Sequence, residues 1–156
     1  MSLGSRVLDV QHKVFDRTRH PDARRVVAEP GTEPDFSALE GEKHALVGTF
    51  KRDGTVVPTP VWFTLDGPRR MLFRSEEHTH KLRRIARDPR VRVCPCNVRG
   101  KPLGPVAEGR ARVLSGAEEE AARRALVASW SADQKLFEGG TERIGARHVY
   151  LEVTPA

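Results

Sequence analysis

His44-Ala45-Leu46-Val47-Gly48-Thr49-Phe50 and Val56-Val57-Pro58-Thr59-Pro60-Val61-Trp62-Phe63-Thr64-Leu65 are two apolar, β-branched runs. Between them lies Lys51-Arg52-Asp53-Gly54-Thr55, whose Asp-Gly pair is a hairpin signal. The stretch therefore reads as two antiparallel strands and the start of a sheet. Pro58 and Pro60 have no N–H to give a ladder. That part of the second strand must lie at an edge or a bulge.

The pattern continues in both directions. Asp66-Gly67-Pro68 turns the chain into a third strand, Met71 to Ser75. A short helix follows from about Thr79 to Arg87, with Leu82, Ile85 and Ala86 on one face, and Asp88-Pro89 stops it. Arg90 to Cys96 alternates basic and apolar residues as a half-buried strand; Cys94 and Cys96 are expected one inside and one outside. After the turn Arg99 to Pro105 comes a strand from Val106 to Leu114. Ser115-Gly116-Ala117-Glu118 reads as a capping box opening a helix to about Trp130, and Ser131-Ala132-Asp133-Gln134 repeats the device for a second. Arg147 to Val153 is the closing strand. The fold class is mainly β: a small six-stranded antiparallel barrel with peripheral helices. Upstream, residues 1–35 show no sustained period and end in the breaker-rich run Glu29 to Asp35. They read as an N-terminal arm, irregular or partly helical, with a helical turn near Arg6 to Phe15. A short helix around Phe36 to Glu42 opens the domain of residues 36–156.

The 156 residues are one domain's worth, and their charge is uneven. Residues 44–113 carry fifteen basic and six acidic groups, more than the whole excess of +6. Arginine supplies 21 of the 27 cations, which reads either as GC-rich codon usage or as anion recognition by guanidinium groups. No apolar run is long enough to span a bilayer, and Met1 to Phe15 has no signal-peptide core, so the expected location is cytoplasmic, without a membrane partner. Two cysteines make neither a disulfide framework nor a four-ligand zinc site.

Chemistry concentrates in Arg74-Ser75-Glu76-Glu77-His78-Thr79-His80-Lys81, where a strand runs into a helix. Arg74 offers a two-pronged donor, Ser75 and Thr79 offer hydroxyls, and the helix start offers free N–H groups, all suited to an anion. Lys81 in the first helical turn opposes the helix dipole. A bound dianion would explain it; so would a solvated lysine paired with Glu77 at i,i+4. Spacing alone leaves both open. The second feature is the proline strand: Val57, Pro58, Thr59 and Pro60 leave an edge free to face a ligand, with Trp62 as a flat wall. Blunting against edge-to-edge aggregation is the competing reading. His78 and His80 lack a third metal ligand at useful spacing, so no metal is expected. No residue has the setting of a dedicated catalytic acid or base.

The run from Phe36 to Leu114 resembles the FMN-binding split-barrel superfamily, the pyridoxamine 5'-phosphate oxidase-like group, and more narrowly its branch using the deazaflavin F420. The residues carrying this are Ala45 to Thr55, Val57 to Phe63, Phe73-Arg74-Ser75, Lys81 to Val91, Pro95-Cys96, Arg99 to Pro105 and Glu108-Gly109. The resemblance implies a homodimer with a cofactor site at each subunit interface. It implies that Lys81, Arg74, Ser75 and Thr79 hold the cofactor phosphate. Val57, Pro58, Thr59 and Pro60 would lie along the ring, with Trp62 nearby or in the interface. F420 is the expected cofactor, with FMN as the alternative, and the middle-block charge would also suit F420's acidic glutamate tail. The implied activity is hydride transfer between the cofactor and a small organic substrate. The alternatives are a non-catalytic flavin, deazaflavin or haem carrier, and a nucleic-acid-binding barrel. The last would need aromatic residues interleaved with cations on one sheet face, and the strand Arg90 to Cys96 has the arginines without the aromatics, so no nucleic-acid partner is expected.

Overall fold

A computed structural model describes residues 19–143, 145 and 147–156. The helical turn expected near Arg6 to Phe15 lies outside them. Six strands form a closed antiparallel barrel: β1 (His44–Phe50), β2 (Val56–Leu65), β3 (Met71–Glu76), β4 (Arg90–Cys96), β5 (Ala107–Val113) and β6 (His148–Pro155), in the order β1-β2-β3-β6-β5-β4. The β1–β2 hairpin turns as its Asp-Gly signal requires. Gly54 takes φ +88, and Asp53 Oδ1 accepts the Thr55 N–H at 2.9 Å.

Strand alternation divides the packing into three layers. Ala45, Val47, Val61, Phe63, Met71, Phe73, Val91, Val93, Leu151 and Val153 fill the barrel interior. Outside β1 and β4, Leu46, Phe50, Cys94 and Cys96 pack under α1 (Asp22–Ala28), which contributes Ala23 and Val27. Outside β3 and β6, Leu72 and Tyr150 pack under α3 (Gly116–Ser129) through Ala122 and Leu126. α2 (His80–Arg87) and α4 (Ala132–Arg143) complete the helices.

Several expectations change. The two cysteines share one layer rather than opposing each other, because residues i and i+2 of a strand point the same way. Burial pushes both thiols up to about 12, which leaves them unreactive. The helix expected at Phe36 to Glu42 is a single 3-10 turn, Ser37–Leu39. At α3 no capping box forms: Glu118 is drawn to Arg112 at 2.6 Å, and the Ser115 side chain caps nothing. At α4 half the box is present, the Gln134 side chain accepting the Ser131 N–H at 2.8 Å. Residues 19–35 lie against the barrel. A Cβ on Gly48 would stand 2.7 Å from Val56 Cγ1 and 3.1 Å from Val27 Cβ, so glycine is what lets α1 seat there. Arg92 then donates to the Val27 and Ala28 carbonyls, each at 2.9 Å, closing the helix end.

Candidate functional site

The barrel is paired unevenly around its circumference. β2 matches β1 from Val56 to Trp62, yet it pairs with β3 only through Phe63, Thr64 and Leu65. β3 runs on against β6 as far as Glu76. The two strands therefore part, and residues 56–62 keep a free edge. Pro58 and Pro60 fall on this edge, which is why a strand with two prolines fits the barrel. Extending the register Phe63↔Phe73 sets Trp62 opposite Arg74 and Pro60 opposite Glu76. Residues 57–59 thus look toward the loop that delivers α2.

That loop turns at His78, whose φ of 64 is the left-handed conformation seldom taken by non-glycine residues. Thr79 follows as the N-cap, its hydroxyl accepting the Leu82 N–H at 3.4 Å and lying 3.2 Å from the Ser75 hydroxyl. Ser75 is buried. One residue into the helix, Lys81 is buried too, on the same face as Ile85, whereas Ala86 is exposed. The Lys81 ammonium lies 5.8 Å from the centre of the Phe73 ring. Among the described residues it makes no hydrogen bond and no ion pair. The pairing with Glu77 does not form; that carboxylate lies 3.8 Å from His78 Nε2.

Burial pushes the Lys81 amine down to about 8; Glu76 opposes this, while Arg19 and Arg84 add to it. A cation held in low dielectric with so little compensation favours any anion placed beside it. Ser75 and Thr79 meet at the start of α2, and Lys81 follows in the first turn over the ring of Phe73, which shares the inner face of β3 with Ser75. Val57 and Thr59 share the interior-facing register of β2.

Arg74 and Trp62 stand elsewhere. Alternation places Arg74 on the outer face of β3, its guanidinium 4.7 Å from the centre of Trp130. Trp62 meets Trp130 and Phe137 edge-on at 6.4 and 5.6 Å. Its indole N–H donates to His44 Nε2 at 2.8 Å, which requires a neutral imidazole. Burial and neighbouring Lys43 hold His44 below its ordinary pKa, in agreement. The structure thus brings Ser75 and Thr79 together, with Lys81 two residues further on in α2, and sets Arg74 and Trp62 apart from them around Trp130. Among the described residues no group of three metal-ligating side chains occurs, and no helix is long and apolar enough to cross a membrane.

Residues 35–156 match the family model of pyridoxamine 5'-phosphate oxidase. The chain belongs to this family. Solved structures sharing the family's fold include a protein related to general stress protein 26, of the pyridoxinephosphate oxidase family, from Clostridium acetobutylicum. It has 16% identity and a TM-score of 0.55 over 76% of this chain and 78% of that one. An FAD-binding protein from Mesorhizobium loti has 16% identity and a TM-score of 0.53 over 76% and 82%. The haem storage protein of Vibrio cholerae has 9% identity and a TM-score of 0.53 over 75% and 84%. Likeness at these identities establishes the fold and leaves the ligand open. A search of curated protein sequences finds no significant match.

Within the family fold, one pair of residues escaped the reading of the sequence. Arg84 Nε donates to the buried Thr49 hydroxyl at 2.7 Å, and that hydroxyl lies 3.5 Å from the Val57 carbonyl. The contact ties α2 to β1 and, through it, to the free edge of β2. The available signal was a charged residue at i+3 from Lys81, on the helix side that turns inward.

Proposed function

We propose that this chain is a cofactor-dependent oxidoreductase that uses F420, or alternatively FMN, to exchange a hydride with a small organic substrate. The observation that carries the reading is the burial of Lys81, which among the described residues has no hydrogen bond or ion pair and is compensated only by the field of Glu76. The donor set suits a phosphate: a cation for its charge, and the Ser75 and Thr79 hydroxyls for its oxygens. A phosphate there would offset the desolvation that depresses the Lys81 amine. Residues 57–60 would then run along a ring lying in the split, with Trp62 as a wall near its end. The preference for F420 comes from the motifs Ala45 to Thr55, Val57 to Phe63, Phe73-Arg74-Ser75, Lys81 to Val91, Pro95-Cys96, Arg99 to Pro105 and Glu108-Gly109, and from the basic middle block that would suit an acidic tail.

The chemistry a bound reduced deazaflavin supplies is hydride donation to an electron-poor double bond. The protein's part is to anchor the phosphate, fix the ring against the strand edge and keep one face dry. No side chain need carry the proton, which solvent can deliver. We also read the working unit as a pair of chains. Leu136 and Phe137 are exposed next to Trp62, an apolar face on which a second copy would close the split.

A haem reading needs an axial ligand in the same place. His78 has 86% of its side chain exposed, and His80 is exposed on the outer side of α2. The test is a parallel titration of the purified chain with FMN, F420 and haem, followed by absorbance. F420 is expected to bind best, and Lys81→Met is expected to weaken both F420 and FMN. A Soret band with no response to either phosphate-bearing cofactor would overturn the proposal.

A further inference from the structure

Between α2 and the β1–β2 turn lies an open cleft of about 570 Å³, within the size range of small-molecule sites. Its walls are the β1–β2 turn and the side of α2 that carries His80, Arg83, Arg84 and Arg87. Lys51 and Arg52 enter from the turn; Arg83, Arg84 and Arg87 enter from the helix. Among the described residues one acidic side chain reaches the cleft, Asp53, and its carboxylate is turned back onto the Thr55 N–H of its own turn.

Three observations separate this cluster from an ordinary solvated face. First, five arginines elsewhere sit with acids, Arg70 with Asp66, Arg90 with Asp88, Arg92 with Glu108, Arg112 with Glu118 and Arg123 with Glu120, while exposed Arg24, Arg69, Arg110 and Arg124 stand apart from one another with no ion pair among the described residues. Among the described residues, none of Lys51, Arg52, Arg83 and Arg87 has a carboxylate within ion-pair distance. Second, the cations come from two elements and converge on a concavity. Third, two of them are held in place. Arg84 donates to Thr49 at 2.7 Å, and Arg87 donates to the Phe50 carbonyl at 2.6 Å. Fixing a guanidinium in advance removes part of the ordering cost of binding.

We propose that this cleft binds an oligophosphate, a short chain of phosphates carrying three or more negative charges, at a site separate from Lys81. Lys51, Arg52, Arg83 and Arg87, with no acid partner among the described residues, repel one another, and one phosphate group neutralises at most two of them. Guanidinium forks arriving from two directions are better matched by phosphate, with its tetrahedral oxygens, than by the two coplanar oxygens of a carboxylate. The site does not depend on the cofactor reading, because it is filled and measured with no cofactor present.

The experiment is calorimetric titration of the full chain with sodium tripolyphosphate, at low ionic strength and again at physiological salt. Inorganic phosphate and tetraglutamate run in parallel. Three proteins are compared: wild type, the double variant Arg52→Gln/Arg83→Gln, and Lys81→Met. Both positions of the double variant are exposed, and a melting curve checks that it folds. Tripolyphosphate is expected to bind one per chain and to weaken with salt. Affinity should fall at least about tenfold in the double variant and stay within about threefold in Lys81→Met. Absence of binding would overturn the proposal, as would equal or tighter binding of monophosphate or tetraglutamate. So would a loss that follows Lys81 and not Arg52 and Arg83. Failure of the cofactor titrations above would leave this result untouched.

Discussion

Lys81 and Arg83 stand two residues apart on α2, one inside the barrel mouth and the other in water. Arg83 keeps its hydration and costs the fold almost nothing. Lys81 gives up its hydration and, among the described residues, gains only a ring face and the field of Glu76 in return. The contrast shows that the number of cations in the middle of the chain does not locate the site. Burial does, because a desolvated charge lowers the stability of the empty protein and is compensated when an anion arrives.

The largest expected effect on this comparison is on cofactor binding. Lys81→Met should weaken FMN and F420 by about a hundredfold or more, the scale of a lost charge-assisted contact, while Arg83→Gln should leave both within about twofold. Fluorescence or absorbance titration measures both, and equal effects from the two variants would erase the distinction. Next comes stability. Lys81→Met should raise the unfolding free energy of the ligand-free chain by roughly 1–3 kcal/mol at about pH 7, read from urea titrations. The pH dependence fixes the sign. The folded-state pKa of about 8 lies below the ordinary 10.5, so between those values the unfolded chain binds more protons. Wild-type stability should therefore gain a favourable contribution as pH rises through this window, and Lys81→Met should lack it. Smaller again is Thr49→Val, which removes the acceptor of Arg84. A loss of about 1–2 kcal/mol is expected, with weaker cofactor binding because α2 is less firmly tied to β1. Arg83→Gln should change stability by less than about 0.5 kcal/mol.

Much of this arrangement was legible in the chain. Period-two runs and Asp-Gly and Gly-Pro turns located all six strands, and Pro58 and Pro60 marked the edge where β2 leaves β3. Thr79 and Lys81 were legible because a helix start has a defined chemistry. What stayed hidden depended on tertiary partners. The Glu118 carboxylate goes to Arg112, six residues back near the end of β5, a competing partner that the capping rule does not include. Arg74 and Ser75 were grouped as neighbours in sequence, although alternation sends them to opposite faces of β3. α1 lacks an apolar period, since only Ala23 and Val27 are fully covered and Arg92 supplies its closing contacts from a distant strand. The Thr49–Arg84 contact spans 35 residues and leaves no pattern in either segment.

The central claim is that Lys81 is a buried amine whose proton is stabilised by a bound phosphate. The chain has six lysines, so an NMR titration with labelled lysine side chains, assigned through Lys81→Met, can follow this one amine. In the ligand-free protein it should titrate near 8, far from its ordinary 10.5, and the midpoint should move upward when FMN or F420 is bound. A midpoint already at the ordinary lysine value, and unmoved by either cofactor, would contradict the account.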